Sequence, residues 1–557
     1  MPDVIDYLDL TDQARLTVHK LPDLIFGSRV RILVVVDTRI SITTADGFGV
    51  ARVIRLLRET SIGCTSFRVD IARRSVAPFV DNGTVGPEEA RFEGFRFDSE
   101  LNNAPVLNRY DEVFLFGFKP GNDAGPDNNI ENGVNAFPAT DPELAVLTGW
   151  MNGGGGVFAT GDHDYLGASM CYRIPRVGTM RRWTNAQGVP PIDGVTRLDT
   201  NQPVTAAQQA GTASIPNSVE GDAKPQPIEW VPERSYRIGF IRYTQPHQLL
   251  CHPTHGPIDV MPDHPHEGHC IEQADIDGTA TLPFAGNAAE YPPDVSGDPH
   301  LPKIIAYGRV VPDPPFMHQK GDVNAKRFPM ISAYDGHEVS VGRVVSDSTW
   351  HHWFDMNVLG LEGAASKTNW EKVSRYFLNV ARWLDRPARI GGFCFWDVLI
   401  SHYRYPGIEE YVAKDRFSEG AALKAHLVGL YGPCAVSETI IGTICVLHPK
   451  ICTLVAERII PKFPIDPDPC WSCPPFELLE NAVLWGFVEG TRKLATELAE
   501  RIDAGETKGL RIELAEIEKA AMNGARRALA EVSREIASSA AEVGDLFGGV
   551  VDQTPVG

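Results

Sequence analysis

Three short stretches of this 557-residue chain concentrate the side chains that could do chemistry. The densest holds six of the sixteen histidines: His247, His252, His255, His264, His266 and His269. In Pro262-Asp263-His264-Pro265-His266-Glu267-Gly268-His269-Cys270 the prolines enforce extended backbone. Alternation then puts His264 and His266 on one side, Asp263 and Glu267 on the other. Imidazole with carboxylate is the ligand set of an open catalytic zinc or iron site that keeps a position for water. His252, His264, His266 and Glu267 are therefore candidate ligands of one divalent ion. The same histidines could instead cap turns and bond carbonyls in a polar loop.

The second stretch is Thr160-Gly161-Asp162-His163-Asp164-Tyr165, where an apolar run gives out. A histidine flanked by Asp162 and Asp164 can be oriented and made more basic by either one, as a general base requires. The alternative is that Asp162 caps a following helix and His163 fills space beneath it. The third stretch is Asp347-Ser348-Thr349-Trp350-His351-His352-Trp353-Phe354-Asp355. Its two indoles could stack on a flat-faced ligand such as a sugar, or form an aromatic core corner with one satisfied histidine. Neighbouring histidines in extended chain point opposite ways, and His351 is expected to face the cleft. Asp162, His163, Asp164 and His351 are thus the candidate catalytic residues. Asp37, Trp350, His352, Trp353 and Asp355 are candidates for binding substrate. Cys470-Trp471-Ser472-Cys473 has redox or zinc-knuckle spacing, yet no second Cys-x-x-Cys pair accompanies it.

Positioning these groups falls to an alternation of strands and helices. Val30-Arg31-Ile32-Leu33-Val34-Val35-Val36-Asp37 reads as a strand buried on both faces that ends on a carboxylate. Helical spacing follows over Phe48 to Glu59, then strands at Ser66 to Ile71 and Asp111 to Gly117. A helix over Pro142 to Met151 leads through Gly153 to Gly156 into the strand Val157 to Thr160. Such an order implies a doubly wound α/β sheet, whose ligands bind beyond the carboxyl ends of the strands. The Pro-, Gly- and Asn-rich text over about 172–302 is too long for a loop and reads as an insertion with structure of its own. Strands are expected again at Lys303 to Val310, Phe328 to Ala333 and Gly342 to Ser346, and a helix at Trp370 to Leu384. Residues 1–29 form a lead-in and 30–388 the α/β domain. Region 389–475 is helical with Pro-containing breaks, and 476–557 is an Ala/Glu/Arg/Leu-rich helical tail whose apolar stripe suits its own core or a homo-oligomer.

A net charge of -20 argues against nucleic acid as a partner. The N-terminal residues show no export leader, and the greasiest stretch, Ala435 to Ile460, is broken by charges that are costly in lipid. Ten scattered cysteines fit a reducing compartment, so a cytoplasmic protein without membrane contact is expected. No nucleotide-cofactor motif is evident.

Tyr110 to Leu115, the helix ending in Trp150-Met151, the glycine run with its strand, Gly342-Arg343-Val344-Val345, and Leu378 to Leu384 together resemble the ThuA-like (trehalose-utilization) branch of the class I glutamine amidotransferase-like superfamily. The resemblance covers about Arg31 to Asp385. It implies a flavodoxin-like, mostly parallel sheet with a crevice at the strand ends and a carbohydrate-related or amide hydrolase-like site. His163 and His351 match the family's two histidines, although the spacing at His163 is longer than usual. The family's Gly-x-Cys-x-Gly elbow has no counterpart, since Ala159 to Asp164 holds no cysteine, and this disfavours glutaminase chemistry. Two expectations follow: a metal-assisted hydrolase-like enzyme for a small polar, carbohydrate-like substrate, or a non-catalytic ligand-binding or assembly protein that oligomerises through its tail.

Overall fold

The computed structural model describes residues 30–62, 65–119, 137–162, 166–184, 187, 225–238, 241–262, 268–310, 326–363 and 367–385. In the C-terminal part it describes 416–431, 436, 440, 443–444, 447, 476–503, 519–535 and 538. Two compact units result: Arg29–Glu233 with Gln245–Arg389, and a second that includes Arg234–Thr244 and Ile390–Gly557.

The first unit is built on β1 (Val30–Asp37), β2 (Thr65–Arg74), β3 (Glu112–Phe116), β4 (Gly156–Thr160), β5 (Gln226–Trp230), β6 (Lys303–Val310), β7 (Lys326–Tyr334) and β8 (Val344–Asp347). Its helices are α1 (Ala51–Glu59), α2 (Asp141–Asn152) and α3 (Lys367–Trp383). A 12-stranded sheet runs Val260–Met261, β5, β6, β7, β8, β4, β3, β1, β2, Phe92–Glu93, Val80–Asp81, with Ser61–Ile62 also beside β2. Its centre, β2-β1-β3-β4-β8, is parallel throughout. Beyond β8 the strands β7, β6 and β5 are antiparallel to their neighbours.

The sequence explains this arrangement. β1 alternates so that Leu33 and Val35 enter the core beneath α2, joining Val113, Leu115, Val157, Leu144, Leu147 and Met151. Its even positions face the other way, as do Phe114 and Phe158, whose rings meet Trp353, which in turn meets Phe377 of α3. Both faces of the parallel strands are covered, which is why they read as continuous apolar runs. α2 starts on a capping box: Thr140 takes the N3 backbone while Glu143 reaches back, and Pro142 stands in the first turn.

The region expected to be an insertion is not wholly separate from the sheet. It supplies β5 and Val260–Met261, which extend the sheet beyond β6. Their shortness and Pro227 within β5 hid that role, since neither segment carries a clear strand pattern. In the second unit α4 (Arg416–Tyr431) packs against α5 (Phe476–Asp503), and 519–535 is helical. Among the described residues no helix is long and apolar enough to cross a membrane.

Candidate functional site

The carboxyl ends of β1, β3, β4 and β8 lie side by side, and each delivers residues to one buried cluster. Asp37 ends β1 and binds the chain that leaves β3: its Oδ2 accepts from the backbone N–H of Phe118 at 2.6 Å and of Lys119 at 2.7 Å. The loop after β8 is tied to the loop after β4 by Trp350 N donating to Gly161 O at 2.7 Å, and to the chain leaving β3 by Trp350 Nε1 donating to Gly117 O at 3.0 Å. Strand order alone thus brings together residues more than three hundred positions apart.

At the centre stand Asp162 and His351, 0 % and 3 % exposed. Thr349 Oγ1 donates to Asp162 Oδ1 at 2.7 Å and accepts from His351 N at 3.1 Å. His351 Nε2 lies 3.9 Å from Asp162 Oδ2. On the opposite edge of the ring, Nδ1 is 2.7 Å from Asn357 Oδ1. An amide oxygen can only accept, so Nδ1 carries the hydrogen and Nε2, on the Asp162 side, keeps the lone pair. The arrangement orients a histidine between an amide and a carboxylate, the geometry of a general acid/base.

His352 turns the other way, as its adjacency to His351 implies, though the two sit on a 3-10 turn (Trp350–His352), not a strand. Its Nδ1 donates to Asp347 Oδ1 at 2.6 Å while Nε2 meets Gln226 Nε2 at 3.0 Å. Asp347 Oδ2 accepts in addition from Trp353 Nε1 and Tyr376 OH, both at 3.1 Å. With both ring nitrogens engaged at 0 % exposure, His352 is a member of a buried structural network. Burial, with Asp347 beside it, holds the Tyr376 phenol well above its ordinary range.

The expected stacking indoles are core residues. Trp350 is stacked on Phe354 at 4.6 Å and also meets Phe48 and Phe118. Trp353 lies 4.3 Å from Phe158 and is wholly buried. Neither presents a free face to a ligand, because packing against Phe354 and Phe158 buries more of these large apolar rings than a solvent-facing position would. The two carboxylates expected to bind substrate are taken up by main chain. Asp355 accepts from Ala51 N at 3.1 Å and Arg52 N at 2.8 Å, so it caps α1 from across the fold. Burial pushes its carboxyl up to about 7. Burial likewise raises Asp37, against the N–H groups of Lys119, Phe118 and Arg39.

Asp162 and His351 are brought together; His163 and Asp164 lie outside the described residues, as do His264, His266, Glu267, Cys470 and Cys473. His252 sits apart, on a hairpin beside α3. Its Nδ1 accepts from Thr254 N at 3.1 Å and His255 N at 3.0 Å, and His255 Nε2 contacts Glu371 Oε2 at 2.6 Å. This is the turn-capping role a polar-loop histidine takes. Among the described residues no three His, Cys, Asp or Glu side chains stand together as a metal site.

Thr349 and Asn357 were missed from the sequence. A threonine immediately before the 3-10 turn is a readable cap signal; Asn357, six residues after His351, offers none.

The chain matches no protein-family model, no curated protein and no solved structure.

Proposed function

We propose that the first unit is an acid/base enzyme, hydrolase-like in its reaction, with His351 as the proton-transferring group. The observation that carries this is the Asn357–His351–Asp162 array at the carboxyl ends of parallel strands, where ligands of open α/β sheets bind. Taken in chain order, the parallel strands stand 2-1-3-4-5 across the sheet, the flavodoxin-like order, and this supports the flavodoxin-like part of the ThuA-like resemblance.

In this reading, His351 Nε2 accepts a proton from a water as its oxygen attacks the substrate. Asp162 stabilises the resulting imidazolium, and Asn357 holds its Nδ1–H. The same proton then passes to the leaving group, which restores the neutral ring. The substrate is small and polar; its carbohydrate character rests on the family resemblance, since neither indole presents a face for stacking. A divalent metal rests on His264, His266 and Glu267. These three lie outside the described residues.

A second reading is favoured by burial. Asp162, Thr349 and His351 are almost inaccessible, as expected of a structural ion pair in a non-catalytic protein. One experiment separates the two. Wild type, His351→Gln and Asp162→Asn are assayed on a panel of p-nitrophenyl glycosides, p-nitrophenyl esters and small amides. Turnover that falls 100-fold or more in both variants, with the fold intact, supports the enzyme. Turnover equal in all three, or none in any, supports the structural reading.

A further inference from the structure

The residue that ties the two halves of this site together came from neither the histidine clusters nor the strand ends. Arg181 is wholly buried, yet its guanidinium donates to main-chain carbonyls. Nη2 donates to Asp162 O and, at 2.8 Å, to Ser348 O; Nε donates to Ser348 O at 3.2 Å and Nη1 to Arg182 O at 3.1 Å. One planar fork therefore spans the loop after β4, which bears Asp162, and the loop after β8, which bears Thr349 and His351.

The fork has a seat of its own. The guanidinium lies 4.3 Å over the Trp183 ring, and Trp183 Nε1 is fixed to Val177 O at 3.0 Å. Main-chain bonds hold the strap from both sides: Arg182 N donates to His269 O at 2.8 Å and Ile271 N to Met180 O at 2.9 Å. Gly268 N donates to the same Ser348 O at 3.1 Å. A Cβ at Gly268 would come within 2.1 Å of Arg181 Nη2 and 2.7 Å of Ser348 O, so only glycine admits the guanidinium here. Burying a full positive charge is costly, and loss of water pulls the guanidinium's proton affinity down. Cys270, Asp162, Cys171 and Asp347 oppose that loss. A fold that bears such a cost only to bond carbonyls gains geometry from it, and lysine could not supply the planar fork.

We propose that Arg181 is the positioning residue of the Asp162–His351 pair, holding the two strand-end loops so that carboxylate and imidazole stay within ion-pair distance. This rests on the acid/base reading of that pair. Around the His351 ring the relevant groups are Asp162 from the β4 end, Thr349 on its own turn, Asn357 and the α1-capping Asp355 from the following helical turn, and Arg181 acting through Asp162.

The test uses the full chain labelled with 15N-histidine, with the His351 resonances assigned by their loss in His351→Gln. An opposed charge held about 4–6 Å away raises a histidine by roughly one pH unit or more. Asp162→Asn should therefore lower the His351 titration midpoint by about one unit. Arg181→Lys keeps the charge but loses the fork and should lower the midpoint by a similar amount, and the double variant should show no further drop. Gly268→Ala, which keeps the arginine but displaces its Nη2, should act in the same direction. Titration unchanged in Arg181→Lys and Gly268→Ala while Asp162→Asn shifts it would overturn the proposal. So would failure of both variants to fold, which would make Arg181 a folding residue. If instead His351→Gln leaves turnover intact, the acid/base reading fails whatever the titrations show.

Discussion

At the scale of single residues, carboxylates that look alike in the sequence divide by what they bind. Asp162 keeps a side-chain hydroxyl and an imidazole as partners, whereas Asp37 and Asp355 are consumed by backbone N–H groups. Asp355 then yields a pH prediction. In the unfolded chain its carboxyl titrates near the ordinary value of about 4, while in the fold burial raises it to about 7. Between those values the folded state binds the extra proton. The Asp355 contribution is therefore fully present below about pH 4 and is lost as the pH rises through about 7. Urea unfolding of wild type against Asp355→Asn, whose amide does not titrate, should show the stability difference moving against wild type between pH 5 and pH 8. A difference that stays flat over that range would contradict the assignment.

At the scale of elements, close backbone approaches decide which glycines matter. Gly342, just before β8, lies so near the chain entering β4 that an added Cβ would come 1.9 Å from Gly155 O and 2.9 Å from Met151 O. Backbone cannot yield there, so Gly342→Ala should destabilise by about 3 kcal/mol, the upper end of overpacking costs. Gly149 in α2 is exposed and its Cβ would meet open space. There Ala should stabilise by about 0.5–1 kcal/mol. Thermal or urea unfolding of both variants checks the pair, and equal effects would contradict it.

Much of this level was legible in the sequence. The run Val30 to Asp37, the helix at 141–152 and the strand after Gly153 to Gly156 are recognisable because periodicity and caps are local signals. β5 was not, because a five-residue strand containing Pro227 carries little pattern. Trp350 and Trp353 could be read either way because an indole suits a core as well as a sugar, and only the approach of Phe354 and Phe158 decides. Arg181 was invisible for a related reason: its partner Ser348 lies 167 residues away.

At the scale of the whole molecule, the α/β unit and the second unit are each compact, and the chemistry proposed belongs to the first. The metal question also belongs here, because its strongest candidate ligands, His264, His266 and Glu267, lie outside the described residues. Protein purified without chelators should carry a divalent ion at a ratio near one if they bind it, and His264→Ala should lower both metal content and stability. Neither quantity changing would remove the metal from the reading and leave the acid/base pair to stand alone.

The central claim is that His351 transfers a proton during turnover. The most direct measurement is kcat/KM of His351→Gln relative to wild type, on whichever panel substrate wild type hydrolyses, with unfolding curves confirming that the variant is folded. Loss of a general acid/base predicts a fall of about 10²–10⁴-fold. A folded variant that retains wild-type kcat/KM would contradict the account.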